Sequence, residues 1–330
     1  MGGGAWGLAL AGLLSENGHK IRVWEYNPEY VQLLMKQRGN PYLLKDIVLP
    51  EEISFSNRFG EVLTSETDYV ICAIPSQYLR STLQQASQEF VALSRLKAVI
   101  NVAKGIEEDT LMRMSEVLAA ELPLKYRDKL VCLSGPSHAE EVARKIPTAV
   151  VIAGSDEQLL TDLQAKFSNA FFRVYRSHDL LGVEIGGAVK NVIAIAAGII
   201  DGLGFGDNTK GALLTRGLVE IQRLGIALGA KPETFLGLSG IGDLITTAAS
   251  QHSRNRFVGN EIGRGRKLKD ILAEMKAVAE GVASTRSVYE LSLKCGVEMP
   301  ITTQVYDVLF EEKSPLQAIT ALMTRSLKQE

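Results

Sequence analysis

A chain of 330 residues, 46% apolar and 22% charged, has the composition of a globular protein of roughly two domains. Its formal net charge of −2 gives no electrostatic case for binding nucleic acid or an anionic membrane surface. The three cysteines, Cys72, Cys132 and Cys295, stand far apart, which argues against a disulfide framework or zinc site and for a reducing compartment. No charged-then-apolar leader is visible, so secretion is not expected and the cytoplasm is the expected location. The longest uninterrupted apolar stretch, around VIAIAAGII (192–200), falls short of the roughly 18 residues that span a bilayer.

The chain opens on MGGGAWG, in which Gly2, Gly4 and Gly7 have the spacing G-x-G-x-x-G of a dinucleotide-binding turn. A helix follows, with Leu8, Leu10, Ala11 and Leu14 at helical spacing and Gly18 as its C-terminal stop. KIRVWEYN then alternates like a strand. Continuous apolar runs at 68–75, 96–105, 129–136, 149–154 and 171–175 predict strands buried on both faces, as in a parallel sheet between helices. Residues 1–179 are therefore expected to form a doubly wound α/β domain of Rossmann type. Beyond residue 180 the strand pattern stops. Helices are expected at 210–228, 260–278, 281–295 and 303–311, so residues 180–330 form an all-helical second domain.

One element is missing from this pattern. The fingerprint normally follows a strand that sits mid-sheet, and only Met1 precedes Gly2. The expectation is that the native chain carries roughly five to ten further residues, mostly Val, Ile, Leu and Ala, before Met1. The chain as given is then expected to be less stable and to bind NAD more weakly, because unpaired buried backbone groups cost roughly 1–3 kcal/mol each.

Glu25 ends the second strand, 18 residues after Gly7. A carboxylate there accepts hydrogen bonds from the adenosine ribose and repels the 2′-phosphate of NADP, so NAD is favoured over NADP. The alternative is a solvated strand end. Lys104, at the carboxyl end of a buried strand, reads as a substrate contact or as a solvated lysine. In LSGPSHAEEV, Gly135 allows close backbone approach to a ligand, and Ser137 with Glu140 is spaced as a helix-capping box. His138, His178 and His252 carry no catalytic expectation, and no metal-ligand spacing is present. Lys190 and Asn191 interrupt an apolar helix. A lysine buried there has a lowered pKa and becomes a usable proton acceptor. Lys210 reads as a solvated loop residue. Asp243, Thr246, Thr247, Ser253, Arg254 and Asn255 gather polar groups between glycines; the run at 253–256 forms a phosphate cradle if it opens a helix, and otherwise a basic surface loop. Glu280 alone carries little.

Taken together, GGGAWG, AKG, SGPSHAEE, GGAVKNVIAIAAGIIDGLGFGDNTKGALLTRGL, GIGDL, SRNR, AEGV and GVEMPI resemble the bacterial type of NAD(P)-dependent glycerol-3-phosphate dehydrogenase over nearly the whole chain. The resemblance implies a Rossmann-like domain joined to a helical substrate domain. It implies interconversion of sn-glycerol 3-phosphate and dihydroxyacetone phosphate, which supplies phospholipid synthesis. It makes Lys190 the proton acceptor and Lys104 a contact to substrate and cofactor. Gly135, Ser137, Asp243, Ser253, Arg254 and Asn255 would bind substrate or lie beside it. Ala5, Trp6, Tyr26, Ala139, Val278 and Glu280, with Arg254, would border the cofactor. The family usually has Ser where this chain has Ala5, which removes a hydroxyl and leaves the backbone amides. The expected partners are small molecules, with no metal, nucleic acid or membrane insertion, and a homodimer is left open. Two rival readings stand at this point: a related Rossmann dehydrogenase acting on a 3-hydroxy acid, and a non-catalytic nucleotide sensor.

Overall fold

Short runs of β-branched and apolar residues form seven strands in a computed structural model that describes every residue except 43, 46, 276, 277, 328 and 330. β1 (Arg22–Trp24) and β2 (Ser54–Ser56) make a parallel pair. β3 (Tyr69–Cys72), β4 (Ala98–Asn101), β5 (Leu130–Ser134), β6 (Thr148–Ala153) and β7 (Phe172–Ser177) form a second sheet in that spatial order. Every residue of β4 and β5 is buried, the burial that a continuous apolar run predicts. The expected doubly wound sheet is present with one departure. β3, β4 and β5 run parallel, but β6 runs antiparallel to β5, with Cys132 opposite Ala153. The intervening helix, α2 (Ala139–Ala143), has five residues. At ~1.5 Å per residue it is too short to carry the chain back along a strand, so β6 starts from the end where β5 stops. β2 escaped the sequence reading because three residues, SFS, carry no periodicity.

Met1 and Gly2 join the two sheets. The Met1 amino group donates to the Ile71 carbonyl (2.7 Å), and the Ala73 N–H donates to the Met1 carbonyl (2.8 Å). The Gly2 N–H donates to the Trp24 carbonyl (2.8 Å). These two residues therefore bridge β1 and β3, at the position where a mid-sheet strand is expected.

The chain divides into two compact units: Met1–Lys104 with Arg113–Val183, and Gly105–Met112 with Glu184–Glu330. Besides α1 (Ala5–Glu16) in the first unit, the helices that matter below are α3 (Leu180–Gly202), α4 (Asp207–Ala227), α5 (Asp243–Ala249), α6 (Arg254–Gly263), α7 (Glu280–Lys294) and α8 (Pro300–Phe310). Among the described residues no strand follows β7. The expected helix at 260–278 is instead two helices, α6 and Leu268–Glu274, separated at Gly265 with φ +91°; residues 276 and 277 lie outside the described set. α3 is long and apolar enough to cross a membrane by length and composition, and its apolar window is wholly buried in the protein. The sequence reading stopped at 192–200 because Lys190 and Asn191 break the run.

Glycine sets the α3–α6 packing. A Cβ on Gly198 would stand 2.0 Å from the Arg256 carbonyl oxygen, and one on Gly259 would stand 2.0 Å from that of Ile195. The two backbones therefore touch, and the start of α6 is fixed against α3. α8 is anchored differently. No side chain of its own caps it, and the buried Glu220 carboxylate of α4 accepts from the Ile301 N–H (2.6 Å) and the Thr302 N–H (3.1 Å). Burial pushes the Glu220 carboxyl up to about 7, against the opposing pull of these donors. The folded protein thus binds this proton more tightly than the unfolded chain. Stability is expected to fall as pH rises from the ordinary glutamate range through about 7, by roughly 1–3 kcal/mol. Thermal melts of wild type and Glu220→Gln between pH 5 and 8 check this. The variant should show the shallower decline, and equal slopes would refute the assignment.

Candidate active site

The first unit presents a dinucleotide-type turn. Gly2 has φ +100°, and a Cβ there would meet the Ala73 carbonyl oxygen at 2.4 Å. A Cβ on Gly7 would stand 2.0 Å from the Gly2 carbonyl oxygen, so the turn closes only on glycine. Gly4 faces open space, and as the N-cap of α1 it supplies no side-chain cap. The free N–H groups and positive end of a 12-residue helix are thus left to an anion. Glu25 is not a solvated strand end: it is 6% exposed, and its Oε2 accepts from the Gly3 N–H (2.9 Å). The Tyr30 hydroxyl donates to the Gly3 carbonyl (3.0 Å). Burial raises that phenol to about 12, which keeps it a donor. The Gly3 peptide is therefore held on both sides. Ala5 and Trp6 lie in the first turn of α1, and the buried Trp6 Nε1 has no hydrogen-bond partner. Tyr26 is exposed.

A second group in this unit gathers at the carboxyl end of β5. Gly135, at φ +139°, turns its carbonyl to accept from Lys104 Nζ (2.9 Å) and from the Ser137 hydroxyl (3.1 Å). Ser137 does not cap α2 as its spacing suggested. His138 is the N-cap residue and makes no side-chain capping bond, while the Ser137 hydroxyl is spent on Gly135. Ala139 is buried as the first residue of α2. The neighbouring Ser134 Oγ is buried without a partner.

The second unit holds the buried lysine. Lys190 is 4% exposed, with its Nζ 2.6 Å from Asp243 Oδ1 and donating to Thr247 Oγ1 (2.6 Å). Thr247 in turn donates to Asp243 Oδ1 (3.1 Å). Glycine again explains the register. A Cβ on Gly186 would stand 2.6 Å from the Ser239 carbonyl oxygen, so the backbone at Ser239 rests on α3 there. Four residues on along each segment, Lys190 meets Asp243. The sequence reading gave Lys190 no charge partner. The Asp243 carboxylate offsets the cost of burying the lysine's charge. Thr247, one helical turn after Asp243 in the polar group read from the sequence, is the hydroxyl that joins the pair.

Ser253 does open a helix, which was the condition for an anion cradle. It is the N-cap of α6, and its Oγ accepts from the Arg256 N–H (3.2 Å). Arg254 is exposed and has no ion-pair partner among the described residues. Asn255 is buried, and its Oδ1 accepts from the Gly281 N–H (2.9 Å) in the first turn of α7. Glu280 begins α7, and Val278 is exposed just before it. Lys210, read from sequence as a loop residue, belongs to α4 and pairs with Asp201 (2.5 Å). Among the described residues no group of three or more His, Cys, Asp or Glu could hold a metal ion.

An uncapped helix behind a glycine turn, an orphaned indole N–H beside it and a buried acid at the next strand end fit a dinucleotide. A buried lysine–carboxylate pair and an arginine at a helix start fit proton transfer on an anionic substrate. Fold and site together define a dinucleotide-dependent dehydrogenase. The comparisons with known proteins agree. Residues 1–160 match the family profile for the NAD-dependent glycerol-3-phosphate dehydrogenase N-terminus, and residues 179–320 match that for its C-terminus. A Syntrophotalea carbinolica protein named glycerol-3-phosphate dehydrogenase (NAD(P)+) is 50% identical over 330 residues, covering 100% of this chain and 98% of its own length. One of the same name from Chlorobium luteolum is 48% identical over 331 residues, covering 100% and 98%. The crystal structure of glycerol-3-phosphate dehydrogenase from Coxiella burnetii superposes with a TM-score of 0.91 at 34% identity, covering 98% of this chain and 97% of that one. The chain belongs to the NAD-dependent glycerol-3-phosphate dehydrogenase family. It interconverts sn-glycerol 3-phosphate and dihydroxyacetone phosphate with NAD(P), and the readings as a 3-hydroxy-acid enzyme or a nucleotide sensor fall away.

Proposed function

We propose that the enzyme prefers NAD, that residues 1–179 carry the dinucleotide and 180–330 the substrate, and that Lys190 is the proton-transfer group. The observation that carries this reading is the buried Lys190–Asp243–Thr247 cluster in the same unit as the Ser253–Asn255 helix start. Bound NAD(P) supplies the hydride acceptor or donor. The chain does the rest. In oxidation, Lys190 Nζ takes the proton of the C2 hydroxyl, and Asp243 stabilises the ammonium that forms. In reduction, that ammonium gives the proton to the oxygen at C2. Thr247 and Asp243 hold Nζ in one orientation. Arg254, the α6 N–H groups and the Asn255 amide bind the phosphate, and this remote binding energy orients the reacting carbon. Lys104, steered by the Gly135 carbonyl, contacts substrate and cofactor, and Ser137 with Gly135 completes that contact. The α1 N-terminus with Gly2, Gly4, Ala5, Trp6 and Gly7 binds pyrophosphate, while Tyr26, Ala139, Val278, Glu280 and Arg254 border the dinucleotide. The enzyme works in the cytoplasm and supplies glycerol 3-phosphate for phospholipid synthesis.

Nucleotide choice rests on Glu25. Its buried carboxylate stands at the strand end with Tyr26 and Asn27 after it and no arginine to receive a 2′-phosphate. Arginine at this position would abolish the Gly3 contact inside a buried site. Glu25→Gln keeps an acceptor for the Gly3 N–H and removes the charge. Initial rates with NADH and NADPH should show the wild type favouring NADH, and Glu25→Gln should raise the relative kcat/KM for NADPH about tenfold. A wild type that favours NADPH would sink this reading without any mutation.

A further inference from the structure

Three charges in the second unit stand at the wrong ends of their helices. Asp201 is the penultimate residue of α3, where the helix dipole disfavours an anion; Lys210 and Arg256 lie near the starts of α4 and α6, where it disfavours cations. They are brought together: Asp201 Oδ1 is 2.5 Å from Lys210 Nζ, and its Oδ2 accepts from Arg256 Nε (2.6 Å). The Asp201 side chain is largely buried, so the contacts are shielded from solvent. Arg256 is thus held twice, through its backbone N–H by Ser253 and through its guanidinium by Asp201. Arg254, two residues earlier, is left pointing elsewhere with no ion pair among the described residues. Local rules broken at one point and satisfied only by tertiary pairing mark a constrained site.

We propose that Asp201 is a positioning residue for phosphate recognition: by holding Arg256 it fixes the first turn of α6, so that Arg254 and the helix N–H groups meet the phosphate in one geometry. This rests on the phosphate-binding role proposed above for residues 253–255. The readout is the ratio of kcat/KM for dihydroxyacetone phosphate over dihydroxyacetone, which a purely structural defect would not change because it lowers both rates together. Asp201→Asn should lower the ratio tenfold or more. Arg256→Met should lower it in the same sense, and the double variant should be no worse than Asp201→Asn, which already breaks the Arg256 contact. If Asp201→Asn does not fold, Asp201→Glu keeps the charge, displaces it by one methylene and should lower the ratio in the same sense. An unchanged ratio in the folded variant, or additive losses in the double variant, would overturn the proposal. Arg254→Ala separates the two levels. If it too leaves the ratio unchanged, the phosphate cradle itself is misplaced; if it collapses the ratio while Asp201→Asn does not, only the positioning role fails.

Discussion

Lys190→Ala is expected to lower turnover by about 10²-fold or more while leaving dinucleotide affinity nearly unchanged. Lys190 is 4% exposed and touches Asp243 and Thr247, so the variant removes the proposed proton-transfer group and also strands a buried carboxylate. An unpaired buried charge destabilises by roughly 3–5 kcal/mol, and lost activity alone could therefore reflect unfolding. Lys190→Met with Asp243→Asn removes both charges and restores a neutral interior. That double variant should melt closer to wild type than Lys190→Ala and should be equally inactive. NADH titration of the folded variants gives the affinity. Turnover near wild type in either folded variant would remove Lys190 from the chemistry.

Arg254→Ala is the second large effect. The guanidinium is exposed and free of ion pairs among the described residues, so the fold should not depend on it and stability should stay within about 0.5 kcal/mol. Losing a charged hydrogen-bonding partner from phosphate costs roughly 1.5–3 kcal/mol, which is about 10- to 150-fold in the Michaelis constant for dihydroxyacetone phosphate. An unchanged Michaelis constant would show that the phosphate binds elsewhere.

What the sequence reveals, and what it hides, divides along the range of the interactions. The glycine spacing, the helix after it and the buried strands are local patterns, and β3, β4 and β5 follow them. The reversal of β6 depends on how far the five-residue α2 can carry the chain, which no periodicity encodes. Lys190 is conspicuous as one cation in an apolar helix, but its partners are 53 and 57 residues away and become legible only through the Gly186–Ser239 approach. The Ser137 capping box fails because spacing says nothing of the competing Gly135 carbonyl. Glu25 is found by its distance from Gly7, yet its burial against Gly3 is a tertiary fact. Glu220 and Asp201 were not singled out, since each is an ordinary helical acid until α8 or α6 is set against it.

The proposed reaction is reduction of a phosphorylated ketone through Lys190 and the α6 phosphate cradle. The most direct test is the initial rate of NADH oxidation with dihydroxyacetone phosphate, run beside a 3-oxo acid, with the product of the first identified. Oxidation should depend on dihydroxyacetone phosphate, sn-glycerol 3-phosphate should form, and the 3-oxo acid should not turn over. Preference for the carboxylated ketone, or no oxidation with dihydroxyacetone phosphate, would contradict it.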